Sequence, residues 1–345
     1  MTLGYIDLRS DTVTLPRPQM IDAIAHASLG DDIMGEDATV KELERKAAEL
    51  LGMEAALLVI SGTMANQVAV MSYAQRGQEM IVGSESHIFN LEGAAMSAVA
   101  QVQARPIPVP NAYFDPELVE SFIYPGDIQR AKTALISLEN THNLNEGQIV
   151  SLENMKEIKE LAMQYEIPVY LDGARIFNAA VELGVKPAEL CRHVDAVQFC
   201  LTKGLGCPLG SILAGTKEFI HEAKMNRQRL GGGMRQAGII AAPGIYALDH
   251  MIDRLKEDNN RAYELAKKLS VIEGISININ NVQTNIISMV ITKENMIADE
   301  LITCLQEKQI KVKKIGKEKV RMIAHYLISD EDLEYVFKSI REVME

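Results

Sequence analysis

Residues able to do chemistry crowd where apolar runs end. Residues 196–210, AVQFCLTKGLGCPLG, open as a short β-prone run and close on a single lysine, Lys203, with glycines at 204, 206 and 210. Burial costs an ammonium its hydration and lowers its pKa. A deprotonated amine fixed at a strand end attacks a carbonyl and forms a Schiff base. A lysine that caps the strand and reaches solvent is the plainer reading. A second run, AALLVI at 55–60, leads straight into Ser61-Gly62-Thr63 and an apolar helical pattern. Free N–H groups, two hydroxyls and the helix dipole make such a start an anion site that suits phosphate. An ordinary Ser/Thr cap is the alternative there, since no glycine-rich nucleotide fingerprint accompanies it.

The same design recurs along the chain. EMIVGSESHIF (79–89) runs into His87, a ring that can pack, stack on a flat group or move a proton. TALISLENTHN (133–143) ends on Glu139, Asn140, Thr141, His142 and Asn143, and IPVYLDGARIF (167–177) ends on Asp172 and Arg175. Strands alternating with helices predict an α/β fold with a mostly parallel sheet flanked by helices. Ligands in such sheets bind at the carboxyl ends of the strands. One polar residue after a strand means little; five strands ending this way point to one site.

The elements that must position these groups follow from pattern. Residues 1–17 read as an extended arm, either a loose tail or a wall folded back on a ligand, with Pro16 and Pro18 excluding a helix before them. Helices are predicted over 18–29, from a Thr39/Glu42 capping box to about Leu51, over 151–165, 215–230 and 245–268, the last as one long charged helix. The glycine-rich LGGGMRQ (230–236) carries Arg235. Beyond it the pattern changes: ISININ (275–280), TNIISMVI (284–291) and KVRMIAH (319–325) read as strands, 294–308 as a helix, and a further helix is capped by Ser329. The division expected is an arm (1–17), a large domain (18–249) and a small C-terminal α/β domain (250–345). In the strand at 320–325 alternation places Arg321, Ile323 and His325 on one face.

Composition bounds the function. A net charge of −12 over 345 residues, with no offsetting basic patch, excludes a nucleic-acid surface, and the lack of Trp removes the usual stacking platforms. Cys191, Cys200, Cys207 and Cys304 form no C-x-x-C pair and lie near no histidine cluster, so neither zinc nor disulfides are indicated and no metal site is expected. MTLGYIDLRSD lacks the apolar centre of a signal peptide, and no run is long enough for a membrane span. A cytoplasmic protein with reduced thiols is expected.

Taken together the inventory suits pyridoxal 5′-phosphate. Its aldehyde needs an amine, Lys203. Its phosphate needs the Ser61–Thr63 turn. Its pyridine nitrogen needs a carboxylate to stay protonated, and Asp172 is the candidate. Arg175 and Arg321 are candidates to clamp an amino-acid carboxylate.

Seven segments in order, DLRSDTVT (7–14), SGTMANQ (61–67), SHIF (86–89), ENTHN (139–143), DGARIFNA (172–179), FCLTKGLG (199–206) and GGGMRQ (231–236), resemble the L-threonine aldolases. The resemblance is dense to about residue 250 and thinner beyond. It implies the aspartate-aminotransferase-type fold (fold type I), a homodimer or homotetramer with active sites at a dimer interface, and cleavage of L-threonine or L-allo-threonine to glycine and acetaldehyde with pyridoxal phosphate. It also implies roles. Lys203 carries the cofactor, Asp172 pairs with its pyridine nitrogen, His87 stacks on its ring, and Gly62 and Thr63 hold its phosphate. Ser10, Arg175 and Arg321 bind the substrate carboxylate. Arg235 reaches the phosphate, across a dimer interface. His87 and His142 are the candidates beside the substrate hydroxyl. Met34 stands where the family usually has Tyr, Thr202 where Ser is common, and Leu144-Asn145-Glu146-Gly147 where a basic residue and glycines are common. Two rivals are a β-eliminating lyase acting on a substituted alanine and a non-catalytic ligand-binding protein on the same scaffold.

Overall fold

The alternation of apolar runs and amphipathic stretches builds two sheets of different character. The structure, a computed structural model, describes residues 4–345; residues 1–3 of the expected arm lie outside the described part. After the short strand β1 (Ile6–Asp7), seven strands form the larger sheet: β2 (Ala55–Val59), β3 (Glu79–Gly83), β4 (Gln103–Ile107), β5 (Thr133–Glu139), β6 (Val169–Asp172), β7 (Ala196–Cys200) and β8 (Ser211–Gly215). Their order is β2-β8-β7-β6-β5-β3-β4. Only β8 runs antiparallel to its neighbours. Every residue of β3, β5, β6, β7 and β8 is buried. That is why these strands read as continuous apolar runs instead of alternating ones. Cores on the two faces gather Leu58, Ile136, Leu171 and Phe199 on one side and Leu57, Met80, Tyr170 and Leu213 on the other.

The smaller sheet is antiparallel, in the order β12-β13-β10-β9, with β9 (Ile275–Ser276), β10 (Ile286–Ile291), β12 (Lys313–Lys314) and β13 (Lys319–Ile323). Between them, β11 (Ile310–Lys311) pairs in parallel with β1. A separate core of Ile287, Met289, Leu301, Val320 and Ile340 includes Leu8 from the N-terminal segment. The arm therefore lies against the protein. Ile323 N donates to Leu8 O at 2.8 Å, and the Thr14 hydroxyl donates to Lys203 O at 3.0 Å.

Three local expectations are corrected. The helix Ala38–Leu51 is capped by Asp37, whose carboxylate accepts from Val40 N at 3.0 Å, while the Thr39 hydroxyl donates to Ser28 O; a carboxylate at N-cap displaces the Thr39/Glu42 box. The stretch expected as one helix over 245–268 is two, Gly238–His250 and Leu255–Leu269. The second is anchored in its first turn by the buried Asp258, paired with Arg254, and neither Gly nor Pro marks the break. In ISININ only Ile275–Ser276 is strand. The Asn278 side chain instead accepts from Asn280 N and caps a 3₁₀ turn, the local backbone bonding that Asn prefers.

Candidate active site

The carboxyl ends of neighbouring strands meet in a cleft of about 150 Å³ lined by Ser61, Gly62, Thr63, His87, Asp172 and Lys203. These six were predicted from four of the five strand ends, and the sheet order explains their meeting. β7, β6, β5 and β3 are consecutive, so Lys203, Asp172, Glu139 and His87 leave the same edge. The Lys203 turn closes through Gly206, whose N–H donates to Lys203 O at 2.9 Å. Gly206 has φ +76°, and a Cβ there would sit 2.8 Å from the Tyr326 ring, so the position needs glycine twice over.

At one end of the cleft the helix Gly62–Tyr73 begins. Ser61 is its N-cap, its hydroxyl accepting from Met64 N at 3.2 Å. The plain-cap reading is thus correct for the Ser61 side chain, and the N–H groups of Gly62 and Thr63 remain to face an anion at the positive end of the helix. A Cβ on Gly62 would lie 2.8 Å from Cys200 Sγ, so this turn packs tightly on β7.

Asp172 is buried and fixed from several sides. Its Oδ1 accepts from Gln198 Nε2 at 2.5 Å and Ala174 N at 3.1 Å, and its Oδ2 from Asn66 Nδ2 at 2.9 Å. Oδ2 keeps room for a further donor. The same Asn66 amide donates to Glu92 Oε1 at 2.6 Å, and Glu92 accepts from Gln67 Nε2 at 3.0 Å and lies 2.9 Å from His87 Nδ1. His87, Glu92 and Asp172 thus bring their donor atoms within 4.8 Å of one another as one hydrogen-bonded network. Burial opposes charge on His87. The hydrogen bond to Glu92 and the negative charges of Asp172 and Glu92 outweigh it, and the ring is held above its ordinary pKa despite Lys203 nearby.

Charge of the opposite sign collects on the small-sheet side. Arg175 Nε and Nη2 each donate to Asp11 at 2.7 Å, and both side chains are buried. Burial alone would raise the Asp11 pKa; the guanidinium, Lys203 and a bond from Asn285 reverse this and hold its carboxyl well below the usual range. Arg175 Nη1 and Arg321 Nη1 donate to one oxygen, Asn143 Oδ1, at 3.3 and 3.1 Å. Arg321 Nε is buried without a partner. Burial and the adjacent Arg175 bring Arg321 down to about 10, and burial together with both arginines lowers Lys313. Asp11 therefore balances the charges of Arg175 and Lys203 from the arm, and the Nε edge of Arg321 is left without a partner. The structure divides the two arginines predicted to act as a clamp: the Nε–Nη2 edge of Arg175 is already committed to Asp11.

Other predicted residues lie apart from the cleft lining. His142 is fully buried, with neither ring nitrogen partnered; its backbone N–H donates to Gln148 O. Ser10 caps a 3₁₀ turn, accepting from Thr12 N, and adjoins Asp11. Arg235 projects from the surface, paired with Asp31 at 2.9 Å, beside the turn that exposes Met34. The departing loop is tied to the smaller sheet: Glu146 accepts from Lys319 Nζ at 2.7 Å and Asn281 Nδ2 at 2.8 Å. Asp11, Asn66, Glu92, Asn143 and Gln198 carry much of the geometry and were not assigned roles from sequence. Buried amides and a carboxylate outside a strand end have no periodic or spacing signature; for Asp11 the only signal was its place in the polar DLRSDTVT arm.

The sequence profile of the beta-eliminating lyase family matches residues 7–292. The chain is 36% identical to low-specificity L-threonine aldolase 1 of Arabidopsis thaliana, covering all of this chain and 98% of that protein. It is 39% identical to the low specificity L-threonine aldolase of Escherichia coli K12, covering 95% and 96%. Among solved structures, the threonine aldolase of Leishmania major superposes with a TM-score of 0.84 at 18% identity, over 99% of this chain and all of that one, which establishes the fold. With the strand-end cleft and near-complete coverage, the chain belongs to the beta-eliminating lyase family, among its low-specificity L-threonine aldolases.

Proposed function

We propose that this protein cleaves L-threonine and L-allo-threonine to glycine and acetaldehyde, with pyridoxal phosphate held in the cleft at the strand ends. The observation that carries the reading is the meeting of Lys203, Asp172, His87 and the Gly62–Thr63 helix start in that one cleft. The residues fit the cofactor on their own chemistry. The helix start offers unbonded N–H groups to a phosphate. Oδ2 of the buried Asp172 has capacity for a pyridinium N–H. Lys203 supplies a primary amine to the same space, and the His87 ring lines it.

When bound, pyridoxal phosphate supplies an aldehyde that takes the substrate amine and a ring that accepts the electron pair of the breaking Cα–Cβ bond. Everything else falls to the chain. The unpartnered Nε edge of Arg321, with the tip of Arg175, binds the substrate carboxylate in a bidentate manner. Fixing that carboxylate orients Cα–Cβ, a positioning effect. A ring nitrogen of His87 takes the β-hydroxyl proton, the step that commits the bond to break as an aldehyde. Asp172 keeps the ring nitrogen protonated, through a charge held in place by Gln198, Asn66 and the Ala174 N–H.

The oligomer belongs to the same proposal: a homodimer or homotetramer in which Arg235, exposed and outside its own cleft, reaches a neighbouring subunit's phosphate site. Ile33, Met34 and Ile239 leave apolar surface exposed near it. Among the described residues no helix is long and apolar enough to cross a membrane, and a cytoplasmic setting is part of this reading. The test incubates the purified protein separately with each substrate and assays acetaldehyde and glycine, with Lys203→Ala beside it. Equal amounts of both products, abolished in the variant, are expected. Pyruvate and ammonia from a substituted alanine, with no acetaldehyde from threonine, would instead establish the eliminating rival.

A further inference from the structure

His87 has two ring nitrogens with different fates. Nδ1 lies 2.9 Å from Glu92 Oε1. Nε2 has no protein partner among the described residues, and the ring lines the cleft beside Lys203 and Asp172. The Glu92 side chain is completely buried and meets two amide donors, Asn66 Nδ2 and Gln67 Nε2, and the His87 ring. An ionised carboxylate only accepts, so the nitrogen facing it must be the donor. The neighbouring amides point the same way, since each presents an N–H to Glu92. Asn66 is itself oriented by the two carboxylates that accept from its Nδ2, Glu92 and Asp172, with the Tyr170 hydroxyl at 2.6 Å from its Oδ1, so its amide nitrogen cannot be exchanged for oxygen.

We propose that Glu92 is a positioning residue for the reaction: it holds a proton on His87 Nδ1 and thereby leaves Nε2 as the nitrogen that faces the substrate and exchanges the hydroxyl proton. In the neutral ring this places the lone pair on the cleft side, where a base is needed. In the charged ring it stabilises the imidazolium formed once the proton is taken. The groups that face His87 are Glu92 and Asp172, which favour its charge, and Lys203, which opposes it. Glu139 fixes the backbone instead, accepting from His87 N at 2.6 Å. The link continues through Asn66, whose single amide nitrogen bridges Glu92 and Asp172. The carboxylate that would pair with the cofactor's pyridine nitrogen and the one bonded to the histidine are thus set by one side chain. The proposal rests on the aldolase reading only for which proton Nε2 moves; the tautomer itself is independent of it.

Glu92→Gln removes the charge at constant shape. Gln67 Oε1 is buried without a partner, so turning the Gln67 amide accommodates the new N–H. The experiment follows the His87 ring by ¹⁵N-resolved NMR in the cofactor-free protein and with added pyridoxal phosphate, wild type against Glu92→Gln. His87→Phe assigns the signal. In wild type the neutral ring is expected to carry its proton on Nδ1. In Glu92→Gln its proton affinity should fall about tenfold or more, the loss of one close charged partner. kcat for threonine should fall about 100-fold with its acid limb moved in step, while KM changes less than about threefold. A wild-type ring protonated on Nε2, or an unchanged titration in Glu92→Gln, overturns the proposal. If Glu92→Gln fails to fold, the wild-type tautomer alone decides. A protein that shows the Nδ1 proton and the lowered proton affinity in Glu92→Gln but makes no acetaldehyde keeps Glu92 in this role and defeats the aldolase reading instead.

Discussion

Asp11→Asn tests whether the N-terminal segment is part of the active site's electrostatics. In the wild type Asp11 accepts two bonds of 2.7 Å from Arg175, whose side chain is 4% exposed against 0% for Asp11. Removing one partner of a buried ion pair leaves an uncompensated charge and typically costs about 3–5 kcal/mol. Asparagine keeps one acceptor, and Asn143 still holds Nη1, which sets the expectation at the low end, about 3 kcal/mol. The pH dependence has a definite sign. The folded-state pKa of Asp11 lies below that of the unfolded chain, about 3.9. Its contribution is therefore complete above about pH 4 and is lost only as pH falls through the depressed folded value. Urea unfolding of both proteins at pH 8, 7 and 5 should show the same gap throughout, narrowing only in stronger acid. A gap under about 1 kcal/mol at pH 7, or one that shrinks between pH 8 and 5, would refute the claim that Asp11 is the fixed counter-charge of Arg175.

Two further perturbations address the ends of the cleft. Arg321→Lys keeps a positive charge but loses the unpartnered Nε edge, so kcat/KM for threonine should fall about 30–100-fold, KM rising with the lost carboxylate contact and kcat falling with the looser orientation of Cα–Cβ; steady-state kinetics showing an unchanged KM would remove Arg321 from that role. Gly62→Ala drives a Cβ to 2.8 Å from Cys200 Sγ, an overpacking cost of about 1–3 kcal/mol that should displace the helix start and weaken cofactor binding. Adding Cys200→Ala to it supplies the missing space and should restore most of the affinity in a titration followed by absorbance. Equal weakness in the double variant would show that the Gly62 N–H position does not depend on this packing.

What was legible in the sequence is what periodicity and strand ends encode. Buried parallel strands are long apolar runs, and the first polar residues after them must emerge at the same edge of the sheet. Lys203, Asp172, His87 and the Ser61–Thr63 turn could be placed together for that reason. What was not legible depends on pairs far apart in sequence. Arg175 looks like a free guanidinium in DGARIF because the one nearby carboxylate, Asp172, is assigned to the cofactor; Asp11, its actual partner, lies 164 positions earlier. Asn66 and Gln198 sit inside a helix and a buried strand, where an amide reads as a lapse in the apolar pattern, although each is fixing Asp172. The misplaced cap and the unbroken helix have a similar cause. Asp37 and Thr39 are both good caps, and the choice is made by Gly238 N, which donates to Asp37 from 201 positions away.

The chain carries −12 overall, yet the part of the site proposed to meet the substrate carboxylate gathers Arg175, Arg321 and Lys313. These facts do not conflict, because an amino acid is a zwitterion and feels little net force from a distant charge of either sign. What decides its binding is local: Arg175 and Arg321, with Asp11 as the carboxylate ion-paired to the first of them. Burial makes this arrangement unfavourable while it stands open, as the lowered proton affinity of Arg321 and Lys313 indicates. A carboxylate that enters relieves the repulsion between the two guanidinium groups as well as forming its own bonds. In the proposed reading Asn143 prepares this, because its single oxygen draws both arginines to one place.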